Sequence, residues 1–185
     1  MNAKILLGAL CAGLLLALPA LGQESPDFMP KGGKTLLADV LGTPPDRAEL
    51  PRILSARRSE AEWRDFFTAR KAALSDKQLQ TLAAYLAAVL PLPPGALEAA
   101  ESKGDWKEAL PMDGRDLAFN YCQGCHSFFR GYLTQDRDLK AWLNEFEAPF
   151  HRKIDLTKQQ REIFARYSAI NMPMKAEDVP ADLQY

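Results

Sequence analysis

One short segment carries residues whose types and spacing suit a specific chemistry. Residues 122–126 read Cys-Gln-Gly-Cys-His, and the Cys-x-x-Cys-His spacing is that of a c-type haem attachment site. Two thiols on one turn of chain can each add to a vinyl group on the same edge of a haem. The adjacent histidine then lies beneath the iron, where its ring nitrogen binds as the proximal ligand. The motif therefore predicts one covalent haem c attached through Cys122 and Cys125, with its iron bound by His126.

Three other uses of the two cysteines remain open. A thioredoxin-like redox pair follows a strand and opens a helix, where the thiolate is stabilised, but the segment before Cys122 has a helical pattern. A structural zinc site needs four ligands, and beyond the motif the chain offers only His151 and no second cysteine pair. A plain disulfide between Cys122 and Cys125 gives His126 no role. Haem attachment is favoured because it uses all three residues.

The first 22 residues have the pattern of an export signal. A short positive start precedes an almost wholly apolar run over residues 5–18, and Ala20 and Gly22 offer small side chains at the cleavage positions. The alternative is an uncleaved membrane anchor. The apolar run is short for that role, and Pro19 interrupts it before a hydrocarbon layer of roughly 30 Å is spanned. We therefore expect an exported, periplasmic protein that contacts a membrane only if this segment stays uncleaved.

Composition bounds the remaining function classes. The 185 residues suffice for one ordinary domain or two very small ones, and 47% apolar with 25% charged residues is typical of soluble globular proteins. The net charge of -1 lacks the positive excess that nucleic-acid binding requires, so no nucleic-acid partner is expected. No nucleophile–base set, glycine-rich phosphate loop or acidic metal cluster is evident. An electron carrier is therefore favoured over an enzyme.

The two halves of the chain resemble each other. Three blocks align in order with offsets of 81, 79 and 82 residues: 33–36 with 114–117, 53–67 with 132–146, and 74–92 with 156–174. Ordered matches at similar spacing predict an internal duplication. Aromatic residues common to both halves, such as Trp63 with Trp142, are expected to stabilise the fold rather than to contact a cofactor.

Each half has the pattern of a few short helices. Ser59 with Glu62 and Ser75 with Gln78 have capping-box spacing, and apolar residues after Ser75 recur with helical period. No alternating strand pattern occurs, so the predicted class is all-α. The predicted boundaries are as follows: signal peptide 1–22, first helical domain 30–92, proline-rich linker 93–111, second domain 112–185.

The second half resembles the cytochrome c family. Leu117, Phe119 and Tyr121 resemble its first helix, which ends in the haem motif, and residues 156–169 resemble its last helix. The resemblance covers residues 112–174 with the motif. It covers 30–92 without it, since Leu-Gly-Thr-Pro-Pro replaces the motif there. The resemblance implies two small cytochrome c-like helical domains in tandem, only the second carrying haem, with one exposed haem edge used for single-electron transfer.

The resemblance also suggests where the second axial ligand of the iron lies. In the family this ligand usually sits in the loop before the last helix, where His151 stands. Met172 with Pro173 resembles the family's Met-Pro pair. However, Met172 aligns with Leu90 of the first half, so any apolar side chain is sufficient at that position. His151 is favoured, Met172 is the alternative and Met174 is third.

The function expected from these features is that of an exported mono-haem c-type cytochrome, which transfers single electrons between redox partner proteins. One alternative is a small, peroxidase-like haem enzyme, which needs an open or labile sixth iron position. Another is a haem subunit of a larger periplasmic oxidoreductase complex, which would then be the partner.

Overall fold

The computed structural model describes residues 25–42, 44–46, 48–123 and 127–184. All regular secondary structure in these ranges is helical, which confirms the predicted all-α class. The α-helices there are α1 Gly33–Leu41, α2 Glu49–Leu54, α3 Glu60–Ala69, α4 Asp76–Val89, α5 Ala96–Glu101, α6 Gly114–Cys122, α7 Leu139–Glu145 and α8 Lys158–Asn171. In the described part of the chain, no helix combines the length and apolar character needed to cross a bilayer. The predicted signal peptide, residues 1–22, lies outside the described residues.

Both predicted capping boxes are formed. Ser59 Oγ accepts from the Glu62 N–H while Glu62 Oε2 accepts from the Ser59 N–H, and this opens α3. Ser75 and Gln78 open α4 in the same way. A third box, between Thr157 and Gln160, opens α8. Thus α4 and α8, each 14 residues long, begin with the same reciprocal pair of hydrogen bonds.

The aligned blocks make equivalent contacts in the two halves. The Leu92 N–H donates to the Leu54 carbonyl at 2.9 Å, and the Met174 N–H donates to the Leu133 carbonyl at 2.7 Å. Helices α1 and α3 pack on α4, as α6 and α7 pack on α8. These pairs are related by the offsets found in the sequence, so they are the contacts that a duplication would preserve.

Two buried tyrosines tie the halves together. Tyr85 Oη donates to the Pro111 carbonyl at 2.6 Å, and Tyr167 Oη donates to the Pro30 carbonyl at 2.6 Å. Each phenol thus reaches the segment that precedes the first helix of the other half. Burial raises the pKa of both phenols, so they remain neutral donors.

The hydrophobic core is continuous between the halves. Helices α4 and α8 pack against each other, and the buried Asn171 side chain donates to Thr81 Oγ1 at 3.0 Å across their contact. Core side chains come from both sides of that contact, among them Leu36, Leu82, Leu117 and Phe164. Neither half therefore encloses its own core completely. The predicted linker, residues 93–111, contains α5 and a 3-10 turn at Trp106–Ala109.

One buried carboxylate caps two helices where the halves meet. Asp113 Oδ1 accepts from the N–H groups of Arg115 and Asp116 at 3.0 and 3.2 Å, and so caps α6. Its Oδ2 accepts from the Lys34 N–H of α1 at 2.9 Å. The α1 N-cap is Gly32, where an added Cβ would lie 2.1 Å from the Asp113 carboxylate. Because Gly32 has no side chain, the Asp113 carboxylate has space to accept hydrogen bonds from both helices.

Candidate functional site

The motif begins at the C-terminal end of α6. Cys122 is the last residue of that helix and is half-buried. The C-terminus of a helix carries the negative end of its dipole and does not favour a thiolate, unlike the N-terminal position of thioredoxin-like cysteines. Cys125 and His126, the other predicted attachment and iron-binding residues, lie outside the described residues.

Cys122 lines a cavity between the helices of the second half. The enclosed part of this cavity is small, about 50 Å³, which is well below the volume of about 300–1,000 Å³ that small-molecule and cofactor sites usually have. The cavity is bordered by the end of α6, by α7, by α8 and by the loops between them. Its lining residues are Tyr121, Cys122, Gly131, Tyr132, Trp142, Glu145, Phe146, His151, Ile154 and Phe164.

An aromatic cluster centred on Tyr132 forms the wall of this cavity. The Tyr132 ring is stacked on Phe128 at a centroid distance of 5.3 Å, and it lies 5.3 Å from Trp142 and 5.5 Å from Phe164. Its hydroxyl group lies 2.9 Å from Ser168 Oγ. Burial raises the pKa of the Tyr132 phenol, which therefore stays neutral. The wall is accordingly apolar, uncharged and closely packed.

A widened helical turn places part of this wall. Residues Phe129–Leu133 form a π-helical turn, in which the Thr134 N–H donates to the Phe129 carbonyl at 3.1 Å. Such turns are rare and occur frequently at functional sites. Here the turn directs Gly131 and Tyr132 to the cavity, just after the motif segment.

His151 lies in the same cavity as Cys122 and is oriented by Glu145. Its Nδ1 lies 3.1 Å from the Glu145 carbonyl oxygen and 3.2 Å from Glu145 Oε2. The Glu145 carboxylate is in turn ion-paired with Arg137. Because Glu145 engages Nδ1, Nε2 is the nitrogen that would bind a metal. Metal-binding histidines are typically held in this way, by a carboxylate or carbonyl on the other ring nitrogen.

The two methionines considered as iron ligands lie elsewhere. Met172 follows the last residue of α8, is buried in the core, and donates its N–H to the Ser168 carbonyl at 2.9 Å. Met174 is half-buried beside Leu133. Neither methionine is among the described residues that line the cavity. The structure thus brings His151, rather than Met172, into the cavity with Cys122.

The first half contains an aromatic ring where the second half has Glu145. The aligned residue is Phe66, whose ring lies 5.4 Å from Trp63 and 5.0 Å from Phe67. The Arg70 guanidinium lies 3.5 Å from the centre of the same ring. An aromatic and cationic stack therefore occupies this position. Sequence alignment alone identifies the Phe66–Glu145 difference, but the contacts that give it meaning required the structure.

The indole nitrogens provide an internal comparison. Trp142 lines the cavity, and its Nε1 atom is buried and has no hydrogen-bond partner among the described residues. In the first half, Trp63 Nε1 is likewise buried and has no hydrogen-bond partner among the described residues. Each indole lies under an arginine, Arg137 and Arg58, at 5.4 and 4.5 Å from the ring centre. The unpartnered indole is therefore a repeated property of the fold and does not by itself mark a cofactor.

The side-chain chemistry of the described residues, rather than the size of the cavity, is what suits a haem c. A thiol of the attachment motif and an imidazole with an engaged Nδ1 border one largely aromatic cavity, and this donor set suits covalent attachment and axial ligation. Comparison with protein-family models, curated proteins and solved structures found no match to this chain.

Proposed function

We propose that this chain is a mono-haem c-type cytochrome that transfers single electrons between redox partner proteins. The observation that supports the proposal is the shared cavity of Cys122 and His151. The cysteine begins a Cys-x-x-Cys-His motif, and Glu145 engages Nδ1 of the imidazole, as is typical of metal-binding histidines. Cys122 and Cys125 would hold the haem covalently. His126 and His151 would bind its iron.

Each part of the site has a role in this function. When bound, a haem c supplies reversible one-electron chemistry at its iron. The buried aromatic side chains around Tyr132 would lower the dielectric on that side of a bound haem, so that less solvent would reorganise when the charge of the iron changes. Ligation by two imidazoles gives a lower reduction potential than ligation by histidine and methionine. His151 in place of Met172 therefore suits a carrier of low potential.

The proposal includes a duplicated architecture. Residues 30–92 and 112–185 are two cytochrome c-like units joined by residues 93–111, and only the second unit holds haem. The equivalent capping boxes of α4 and α8 and the paired Leu92 and Met174 hydrogen bonds support this arrangement. The Phe66 stack supports the absence of haem from the first unit. That unit would complete the core and offer a surface for a redox partner or a larger periplasmic complex.

An optical spectrum tests the carrier function against a haem enzyme. The purified mature protein should show a low-spin, six-coordinate haem in both oxidation states, and the reduced form should not bind carbon monoxide. This result is expected because His126 and His151 would both bind the iron. A high-spin haem that binds carbon monoxide readily would contradict the carrier and favour a peroxidase-like enzyme.

A further inference from the structure

We propose that Glu145 is a positioning residue for His151 and that its carboxylate lowers the reduction potential of the bound haem. This inference rests on the proposed function, since it assigns His151 as an iron ligand. It concerns the hydrogen-bonded chain Arg137–Glu145–His151, which is hereafter called the Arg–Glu–His chain.

The geometry fixes the imidazole from two directions. Both the carbonyl oxygen and the Oε2 atom of Glu145 lie within hydrogen-bonding distance of His151 Nδ1, at 3.1 and 3.2 Å. Two acceptors on one residue require the hydrogen on Nδ1, which leaves the lone pair on Nε2. Glu145 therefore selects both the tautomer and the ring orientation needed for iron binding.

The carboxylate also affects the electron density of the ring. A negative acceptor on Nδ1–H gives the imidazole partial imidazolate character and makes Nε2 a stronger donor. A stronger donor stabilises ferric iron more than ferrous iron, and so lowers the potential. The Glu145 side chain is only 31% exposed and borders an aromatic cavity, where charges interact more strongly than in water.

Arg137 holds the carboxylate in place. It is ion-paired with Glu145 and also donates to Gln135 Oε1 at 3.2 Å. Its positive charge offsets part of the negative charge that Glu145 presents to the imidazole. The Arg–Glu–His chain thus has a fixed carboxylate at its centre.

The first half supports this assignment as an internal comparison. Arg58 aligns with Arg137, but the residue aligned with Glu145 is Phe66, and residues 25–92 contain no histidine. Arg58 there lies 4.2 Å from the Phe66 ring centre. The arginine is thus present in both halves, whereas the carboxylate is present only in the half that has an imidazole to hold.

The test is redox potentiometry of the haem-loaded, full-length mature protein carrying Glu145→Gln. Glutamine retains an acceptor for Nδ1–H but lacks the charge, so the low-spin spectrum should persist while the reduction potential becomes more positive. Glu147→Gln is the matched control. Glu147 is two residues away, its side chain is 74% exposed, and its pair with Arg152 is solvent-screened, so its replacement should leave the potential nearly unchanged.

A second comparison separates action through His151 from a simple field effect. Glu145→Gln is introduced into a His151→Ala background, and most of the potential shift should disappear there. A shift of the same size in both backgrounds would show that the carboxylate acts by charge alone and would overturn the positioning role. An unchanged potential in the single variant would also overturn it.

These outcomes are distinguishable from failure of the proposed function. If the protein carries haem and His151→Ala opens the sixth position, but Glu145→Gln has no effect, only the role of Glu145 is wrong. If His151→Ala leaves the haem six-coordinate, the ligand assignment and the role of Glu145 both fall, while the carrier function stands. If no haem is attached, all three are wrong.

Discussion

Replacing His151 by alanine should open the sixth position of the iron in the proposed haem. The imidazole borders the cavity that contains Cys122, and Glu145 orients it for metal binding, so no other described side chain there is equally placed to replace it. The variant should become partly or wholly high-spin, and its reduced form should bind carbon monoxide. Optical spectra of both oxidation states, recorded with and without carbon monoxide, measure this directly.

Met172→Leu is the control for that experiment. Met172 is buried beyond the end of α8, outside the cavity lining, and leucine already occupies the aligned position at Leu90. The variant should keep the wild-type spectrum, and the oxidised wild-type protein should lack the weak near-infrared band of sulfur-to-iron charge transfer. If instead Met172→Leu opens the sixth position of the iron and His151→Ala leaves the spectrum unchanged, Met172 is the ligand. The carrier would then have a higher potential.

Asp113→Ala should strongly destabilise the contact between the halves. The substitution removes the N-cap of α6, worth about 0.5–2 kcal/mol, and leaves the partly buried Lys34 N–H of α1 without its acceptor, which costs about 1–3 kcal/mol. We expect a loss of about 2–4 kcal/mol in the free energy of unfolding, measured by denaturant titration.

Asp138→Ala is the matched control for Asp113→Ala. Asp138 is exposed and caps only its own helix, α7, through the Ala141 N–H at 2.7 Å, so its replacement should cost about 1 kcal/mol. Equal losses for the two variants would contradict the double cap.

Asp113→Asn adds a test by pH. Burial raises the pKa of Asp113, so the wild-type protein should lose stability as the pH rises through that pKa, and the Asp113→Asn variant should not share this loss.

Local patterns in the sequence were sufficient to predict some of the helices, among them α3, α4 and α6, whereas α5 lies in the segment predicted as a linker. The capping boxes at Ser59 and Ser75 depend on residues three positions apart, and the apolar stripe of α4 depends on a period of 3.6, so both are visible without tertiary information. The same holds for the helix that ends at Cys122. These features identified the all-α class and the location of the motif.

Contacts between distant or irregular segments could not be predicted in this way. Glu145 and His151 lie six residues apart across a loop, a spacing that matches no regular element, so no sequence pattern pairs them. Asp113 caps a helix whose Lys34 N–H lies 79 residues earlier. The shared core likewise arises from the packing of α4 on α8, which depends on how the two halves meet rather than on either one alone.

The intact mass of the mature protein tests the central proposal most directly. The denatured protein should have the mass of its polypeptide plus one haem, and the haem should resist acid–acetone extraction, because thioether bonds to Cys122 and Cys125 would hold it. Cys122→Ala and Cys125→Ala should each weaken that retention. A polypeptide mass without haem, whether reduced, carrying a disulfide between the two cysteines or binding zinc, would contradict the proposal.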